Sequence, residues 1–254
     1  MTLRDPRWIP ILTYHSIDSS GSVISTSPEN FRKQMRALAE SPCRVMKLGD
    51  LAKCIREKRN PPANSLAITF DDGFRNVLDV AFPLMKEYGF SATVFLVTSF
   101  CGKNNRWYGQ RDQIPVLDLL NWDEIAGMSE VMEFGVHTAN HPDLTKIPEA
   151  MLDEEIGGAR ESLEKHTGKS EQAFAYPYGK QSPASRKLVE ENFYAGCSTE
   201  MNFASLDSDL YFLPRIDMYY FSRNNAFATV GTAAFRRYVR FRSLFRKMRE
   251  AVTS

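Results

Sequence analysis

Asp71 and Asp72 close the apolar run Leu66-Ala67-Ile68-Thr69-Phe70 and stand just before Gly73. Two adjacent carboxylates raise the energy of ionising both, so one of them needs a proton or a cation. Such a pair at a strand end suits a division of labour, with one carboxylate on a metal and the other handling protons. The plain alternative is a strand followed by an Asp-Gly turn. The chain has four histidines, His15, His137, His141 and His166. His137 and His141 lie four apart in His-Thr-Ala-Asn-His, directly after the apolar segment Glu133–Val136. Neutral imidazoles suit zinc and other borderline divalent cations. Two imidazoles and one carboxylate make a three-ligand site with positions open for water and substrate. The glutamate of a His-Glu-x-x-His protease motif is missing, so that chemistry is set aside. The alternative for the pair is one surface histidine and one helix-capping histidine.

The other two histidines differ in setting. His166 ends an amphipathic helical pattern beside Lys165, where a helix dipole favours a cation. His15 ends the first strand pattern, Ile11-Leu12-Thr13-Tyr14-His15, so in a barrel it shares a face with Asp71 and His137. A further segment, Phe174-Ala175-Tyr176-Pro177-Tyr178-Gly179, reads as a strand breaking into a Pro-Tyr-Gly turn. A turn of this kind can aim an unpaired backbone N–H inward, as an oxyanion donor requires.

The elements that must hold these groups alternate in type. Strand patterns cover 9–14, 66–70, 92–97, 133–136, 173–176, 194–198 and 215–218. Between them lie a helix entered through Ser27-Pro28-Glu29, a helix over 74–88 stopped by Gly89, and helices over 148–166 and 183–192. Strand–helix alternation with apolar strands implies a parallel sheet covered by helices. Seven strands in one domain predict a barrel, with an incompletely closed one as the alternative. The connection from Thr98 to Leu120 is long enough to expect a function of it. Its Trp107 and Tyr108 are candidates either for stacking on a sugar ring or for packing within a lid.

The chain has 254 residues, 43% hydrophobic and 25% charged, with a net charge of +1. That charge argues against bulk binding of nucleic acid. No apolar run approaches the roughly 20 residues of a membrane span. The residues Met1–Pro6 lead into a stretch too short and proline-broken for a signal peptide. Cys43, Cys54, Cys101 and Cys197 are scattered, which fits reduced thiols in a cytoplasmic protein.

Taken in order, these segments resemble the polysaccharide deacetylase family, the NodB-like carbohydrate esterases of family 4. The resemblance runs from about Ile11 to about Asp217. Thr69-Phe70-Asp71-Asp72-Gly73 is similar to that family's first motif, His137-Thr138-Ala139-Asn140-His141 to its second and Tyr176-Pro177-Tyr178-Gly179 to its third. His137 lies 66 residues after Asp71, and the first two motifs together are highly specific. Leu12-Thr13-Tyr14-His15-Ser16 resembles the exopolysaccharide and poly-N-acetylglucosamine deacetylase branch.

The resemblance implies a distorted (β/α)7 barrel, assigned to 1–230, and the residue pattern beyond it marks 231–254 as a basic C-terminal helix. It implies Asp71 as general base and Asp72, His137 and His141 as ligands of a divalent metal, foremost zinc, with cobalt, nickel, iron or manganese as alternatives. It implies that the metal and the Tyr178 N–H hold the oxyanion. The chain departs from the family pattern at three points. Ala175 stands near the place of the arginine that usually pairs with the base, and Arg215 is the candidate replacement. No histidine follows His166, where many members carry the general acid. His15, assisted by Asp217, is the candidate acid, with proton shuttling by Asp71 itself as the other route. The family's tryptophan motif is not evident, and Trp122 is a candidate either for the barrel top or for packing.

The segment 235–252 is an amphipathic helical pattern rich in cations, among them Arg236, Arg237, Arg240, Arg242, Arg246, Lys247 and Arg249. It suits either a barrel-covering helix or peripheral contact with an anionic membrane. The resulting expectation is a hydrolase that removes N-acetyl groups from amino sugars of a glycan or lipid-linked precursor. Expected alternatives are hydrolysis of another linear C–N amide in a small molecule and a glycan-binding protein with an impaired site. The expected location is the cytoplasm, with peripheral contact at the inner face of the membrane as the alternative.

Overall fold

The strand Ser65–Phe70 (β3) is buried at every position, as a strand covered on both faces must be. The structure, a computed structural model, describes residues 8–222 and 225–253; nothing is described of the side chains at 247 and 249–253. The readings of Met1–Pro6, Lys247 and Arg249 therefore fall outside the described residues. Around β3 stand β1 (Ile11–Tyr14), β2 (Arg44–Val45), β4 (Ala92–Leu96), β5 (Met132–Val136), β6 (Ala173–Ala175), β7 (Ala195–Met201) and β8 (Leu213–Asp217). The order β1-β8-β7-β6-β5-β4-β3 closes on itself through a parallel β1–β3 pairing. The result is a distorted (β/α)7 barrel. The two-residue β2 is appended outside the ring on β3. Distortion is concentrated at β5–β6, joined at the single pair Val136↔Phe174, and at a register shift in β7 between Cys197 and Met201.

Alternation along each strand separates two apolar groups. Leu12, Tyr14, Leu66, Ile68 and Phe70 face the outer helical layer. Ile11, Ala67, Phe95, Ala173, Ala175, Ala195 and Cys197 fill the lumen. The lumen is mostly small residues around one large ring, Phe95, whose burial contributes about 1.5–3 kcal/mol. Gly135 belongs to this fit: a Cβ there would lie 2.7 Å from the Phe95 ring and 2.7 Å from the Ala173 carbonyl oxygen.

Helices α1 (Pro28–Ala39), α2 (Leu48–Arg56), α3 (Phe82–Tyr88), α4 (Trp122–Met128), α5 (Ala159–Thr167), α6 (Pro183–Asn192) and α7 (Ala233–Thr253) complete the chain. Ser27 caps α1 by accepting from the Asn30 N–H. Helix α2, unforeseen from the sequence, joins Leu48, Leu51, Ala52 and Ile55 to the lumen group. It lies at the N-terminal end of the barrel, where Arg56 donates to the Tyr194 carbonyl at 2.7 Å.

Two expected helices are less regular than their patterns. In 74–88 a π-helical turn over Val77–Ala81 precedes α3. Pro83 has no N–H to give Asp79, so the ladder widens before it. In 148–166 a π-helical turn over Glu154–Gly158 precedes α5. Trp122 opens α4 and stacks on His166 of α5 at 4.0 Å, so it belongs to the helical layer and not to the pocket of the barrel. Helix α7 inserts Phe235 and Val239 into the outer core, beside Phe221 and Phe227. Its opposite face leaves Phe241, Leu244, Phe245 and Met248 each more than half exposed. Among the described residues, no helix is long and apolar enough to cross a membrane.

Candidate metal centre and active site

The C-terminal ends of the barrel strands bring the sequence-singled residues together. His15, Asp71, Asp72, His137, His141 and Tyr178 line one pocket of about 240 Å³, walled further by Trp107, Arg111 and Thr199. Asp72 Oδ1 lies 3.5 Å from His137 Nε2 and 3.4 Å from His141 Nε2. All three groups are buried, and Asp72 Oδ1 has no hydrogen-bond partner. These spacings fit a cation. Tetrahedral zinc with bonds of about 2.0–2.2 Å sets its ligand atoms roughly 3.3–3.6 Å apart. His137 Nδ1 lies 2.7 Å from the Ala175 carbonyl oxygen and donates to it, which leaves the Nε2 lone pair toward Asp72. Burial pushes the His137 imidazole down to about 4, against the opposing pull of Asp71, so it is neutral and ready to ligate. Burial would raise the Asp72 carboxyl, but His141, His15 and His137 hold it below its usual value.

The backbone at the site is held in unfavourable conformations. Asp72, Thr138, His141 and Tyr178 account for four of the six non-glycine residues with positive φ among the described residues. Each such residue costs on the order of 1–3 kcal/mol and persists only where its surroundings fix it. Glu155, from the π-helical turn, supplies part of that fixing. Its Oε2 accepts from the Ala139 and Asn140 N–H groups at 3.1 and 2.9 Å, and its Oε1 from Asn140 Nδ2 at 2.8 Å. The Thr138 hydroxyl caps the same loop by accepting from the His141 N–H at 2.8 Å. On the open side Trp107 stacks on His141 at 4.5 Å, whereas Tyr108 is 100% exposed.

Asp71 stands apart from the ligand set. Its carboxylate receives both guanidinium nitrogens of Arg215, each at 2.7 Å. Both residues are only 2% exposed. Arg215 reaches across from β8, with Nε donating to the Ser198 carbonyl at 2.8 Å and the guanidinium over the Phe95 ring at 5.6 Å. Burial would raise the Asp71 carboxyl, but Arg215, His137 and His15 outweigh it and hold it well below the usual carboxylate range. His15 Nε2 lies 3.9 Å from Asp71 Oδ2, beyond hydrogen-bond reach.

Asp217 requires a correction. It ends β8 beside Thr13, but its carboxylate accepts from the Tyr219 N–H at 3.0 Å and caps the turn Met218–Phe221. No hydrogen bond joins it to His15 among the described residues, and it is not among the residues lining the pocket. The Tyr178 turn faces the ligand set, with the Tyr178 ring 4.9 Å from His141. No hydrogen bond from the Tyr178 N–H is present among the described residues. Glu155 and Ser198 escaped the sequence reading. Glu155 looks like one more acid in a helical run, and Ser198 acts only through its carbonyl.

A barrel whose strand ends hold a three-ligand metal set beside a separate buried carboxylate defines a metal-dependent hydrolase. The polysaccharide deacetylase family profile matches residues 58–196. The chain belongs to this family, and its reaction is hydrolysis of N-acetyl amide bonds. It is 28% identical over 217 residues to the poly-beta-1,6-N-acetyl-D-glucosamine N-deacetylase of Staphylococcus epidermidis, covering 81% of this chain and 71% of that protein. The protein of the same name from Staphylococcus aureus (strain MSSA476) is 26% identical over 203 residues, covering 76% of this chain and 67% of that protein. In structure it resembles the Streptococcus pyogenes deacetylase PplD, solved with acetate, with a TM-score of 0.73 and 24% identity over 84% of this chain and 93% of that one. IcaB from Ammonifex degensii superimposes with a TM-score of 0.71 at 22% identity, over 84% of this chain and 94% of that one.

Proposed function

We propose that the chain deacetylates an N-acetylglucosamine polymer or a lipid-linked N-acetylated sugar, using zinc held by Asp72, His137 and His141. The observation that carries this reading is the separation of tasks between adjacent carboxylates: Asp72 faces two imidazoles, while Asp71 faces Arg215. When bound, the metal supplies Lewis-acid polarisation of the acetamide carbonyl and of a water. Asp71, ionised throughout the neutral range, takes the proton of the attacking water. Arg215 holds that carboxylate in one orientation by a two-pronged hydrogen bond. The Tyr178 N–H is the donor for the oxyanion. His15, lining the same pocket, is the nearest histidine outside the ligand set for protonating the leaving amine. The test is acetate release across N-acetylglucosamine oligomers and lipid-linked sugars, before and after chelation. Release that chelation stops and zinc restores supports the reading; release indifferent to chelation refutes metal dependence.

The proposal extends to location, with the chain in the cytoplasm at the inner face of the membrane. All four cysteines are free thiols. On α7, Phe241, Leu244, Phe245 and Met248 follow helical spacing, with the exposed Arg237 and Arg240 beside them. Apolar side chains edged by cations suit an anionic bilayer surface. Flotation with phosphatidylglycerol vesicles at low salt is expected and should be lost in Phe241→Ser/Phe245→Ser. Equal flotation of the two proteins would remove the membrane assignment.

A further inference from the structure

The His15 imidazole makes no hydrogen bond among the described residues, and its approach to Asp71 stops at 3.9 Å. What places it is the backbone that follows β1. Ser16, the next residue, is wholly buried. Its N–H donates to the Ile24 carbonyl at 3.1 Å, and its carbonyl accepts from the Thr26 N–H at 2.9 Å. Its hydroxyl donates to the Asp18 carboxylate and accepts from Asn76 Nδ2 at 2.7 Å. Ile17 then donates its N–H to Asn76 Oδ1 at 2.9 Å. Asn76 therefore spends both ends of its amide on the two residues after His15. Asp18 closes the loop by accepting from the Ser20 N–H at 2.7 Å and the Ser25 hydroxyl at 2.8 Å.

The clamp belongs to the turn that carries the base. Asn76 lies five positions after Asp71. That turn is anchored in its own right: the Asp71 N–H donates to the Tyr14 carbonyl at 2.9 Å, and Arg75 donates from its N–H to the Asp118 carbonyl at 2.9 Å and from Nε to Glu124 at 2.7 Å. A polar network with every member satisfied holds one arrangement. Neither Ser16 nor Asn76 is among the residues lining the pocket, so their route to the substrate runs through the residues they hold.

We infer that Asn76 is a positioning residue that fixes His15 for protonation of the leaving amine. This rests on the deacetylase reading above and on His15 as its acid. As the C–N bond breaks, the electron pair stays on nitrogen and takes the His15 proton, while Asp71 holds the proton of the attacking water. One turn then sets the base through its backbone and the acid through the Asn76 side chain.

The test compares zinc-loaded wild-type protein with Asn76→Ala, His15→Gln and the double variant. Each is assayed on a β-1,6-linked N-acetylglucosamine oligomer and on para-nitrophenyl acetate, whose leaving phenolate needs no proton. Displacing an acid by about 1 Å costs on the order of 10²-fold. Asn76→Ala should therefore lower kcat on the oligomer by about that factor with KM little changed, and lose at least tenfold less on the ester. The double variant should be no slower on the oligomer than His15→Gln. Ser16→Ala should repeat the selective loss on the oligomer, which keeps the test open if Asn76→Ala fails to fold. Equal losses on the two substrates in Asn76→Ala, or fully additive losses in the double variant, would overturn the inference. Equal losses on both substrates in His15→Gln would overturn it as well, by removing the acid that Asn76 is said to hold. If the wild type releases no acetate from any N-acetylated sugar, the deacetylase reading fails first. Proton–carbon NMR of the imidazoles then judges the clamp: a His15 signal shifted or broadened in Asn76→Ala, with that of His166 unmoved, upholds it, and an unchanged His15 signal overturns it.

Discussion

Arg215 illustrates how much one residue decides at this site. It is a buried cation whose compensation is the Asp71 carboxylate, the Ser198 carbonyl and the Phe95 ring. Removing it in Arg215→Met strands a buried carboxylate, which should cost about 3–5 kcal/mol, read as a lowered denaturation midpoint. The variant should also raise the pKa of Asp71, since a principal lowering influence is gone. The acid limb of the pH–rate profile of any remaining acetate release should therefore move to higher pH. Arg215→Lys should show the same direction, because one ammonium cannot reproduce a two-pronged contact. A second consequence concerns His137. Its imidazole is pushed down to about 4 in the fold, against about 6.5 when free. Below about 6.5 the unfolded chain takes up a proton that the native chain refuses, so stability falls with acidity. The metal-free protein should hold its stability above about 6.5 and lose it progressively toward pH 4. Thermal melts across that range check this, and His137→Phe should flatten the decline. A decline of the same size in His137→Phe would assign it elsewhere. The depressed Asp71 carboxyl acts in the same sense at lower pH: its contribution is present above the ordinary carboxylate range and lost below it.

At the scale of elements, the loop 137–141 is governed by a helix turn that does not touch the ligand set. Glu155→Ala would leave the Asn140 N–H and Asn140 Nδ2 without this acceptor, while the Ala139 N–H keeps the residue-155 carbonyl oxygen at 3.0 Å. Orienting groups of this kind typically contribute 10–100-fold in metal affinity. A loss of that size is expected in competitive zinc titration, with the other ligands untouched; unchanged affinity would reduce Glu155 to a folding role. This element also marks what the sequence could tell. His137 and His141 were legible because their types and spacing have few other uses. Glu155 was not, because Glu154-Glu155 in a helical pattern reads as a solvated face. In the structure Glu155 lies buried within the π-helical turn. Helix α2 carried a usable signal in Leu48, Leu51, Ala52 and Ile55, yet nothing local said that this face closes a barrel end. The two residues of β2 carry no periodicity at all. Trp107 was ambiguous for a similar reason: its partner, His141, lies 34 positions away in the chain.

For the whole molecule, the alternation of strands and helices foretold a parallel barrel, and the closed seven-strand ring agrees with it. The distortions that shape the site were not foretold. The β5–β6 seam narrows to one pair and β7 shifts register, around a lumen where Phe95 packs on Gly135 and beneath the Arg215 guanidinium. Arg215 crosses that lumen to reach Asp71 from a strand 144 positions later in the chain. The barrel thus lets one carboxylate be tuned by a remote cation while its neighbour faces two histidines. The most direct test of this arrangement measures bound zinc and acetate release together in wild type and Asp71→Asn. Asp71→Asn should keep zinc near one per chain while acetate release falls by about 10²–10⁴-fold. Full turnover in Asp71→Asn, or loss of its zinc, would contradict the assignment of Asp71 as the base standing apart from the metal.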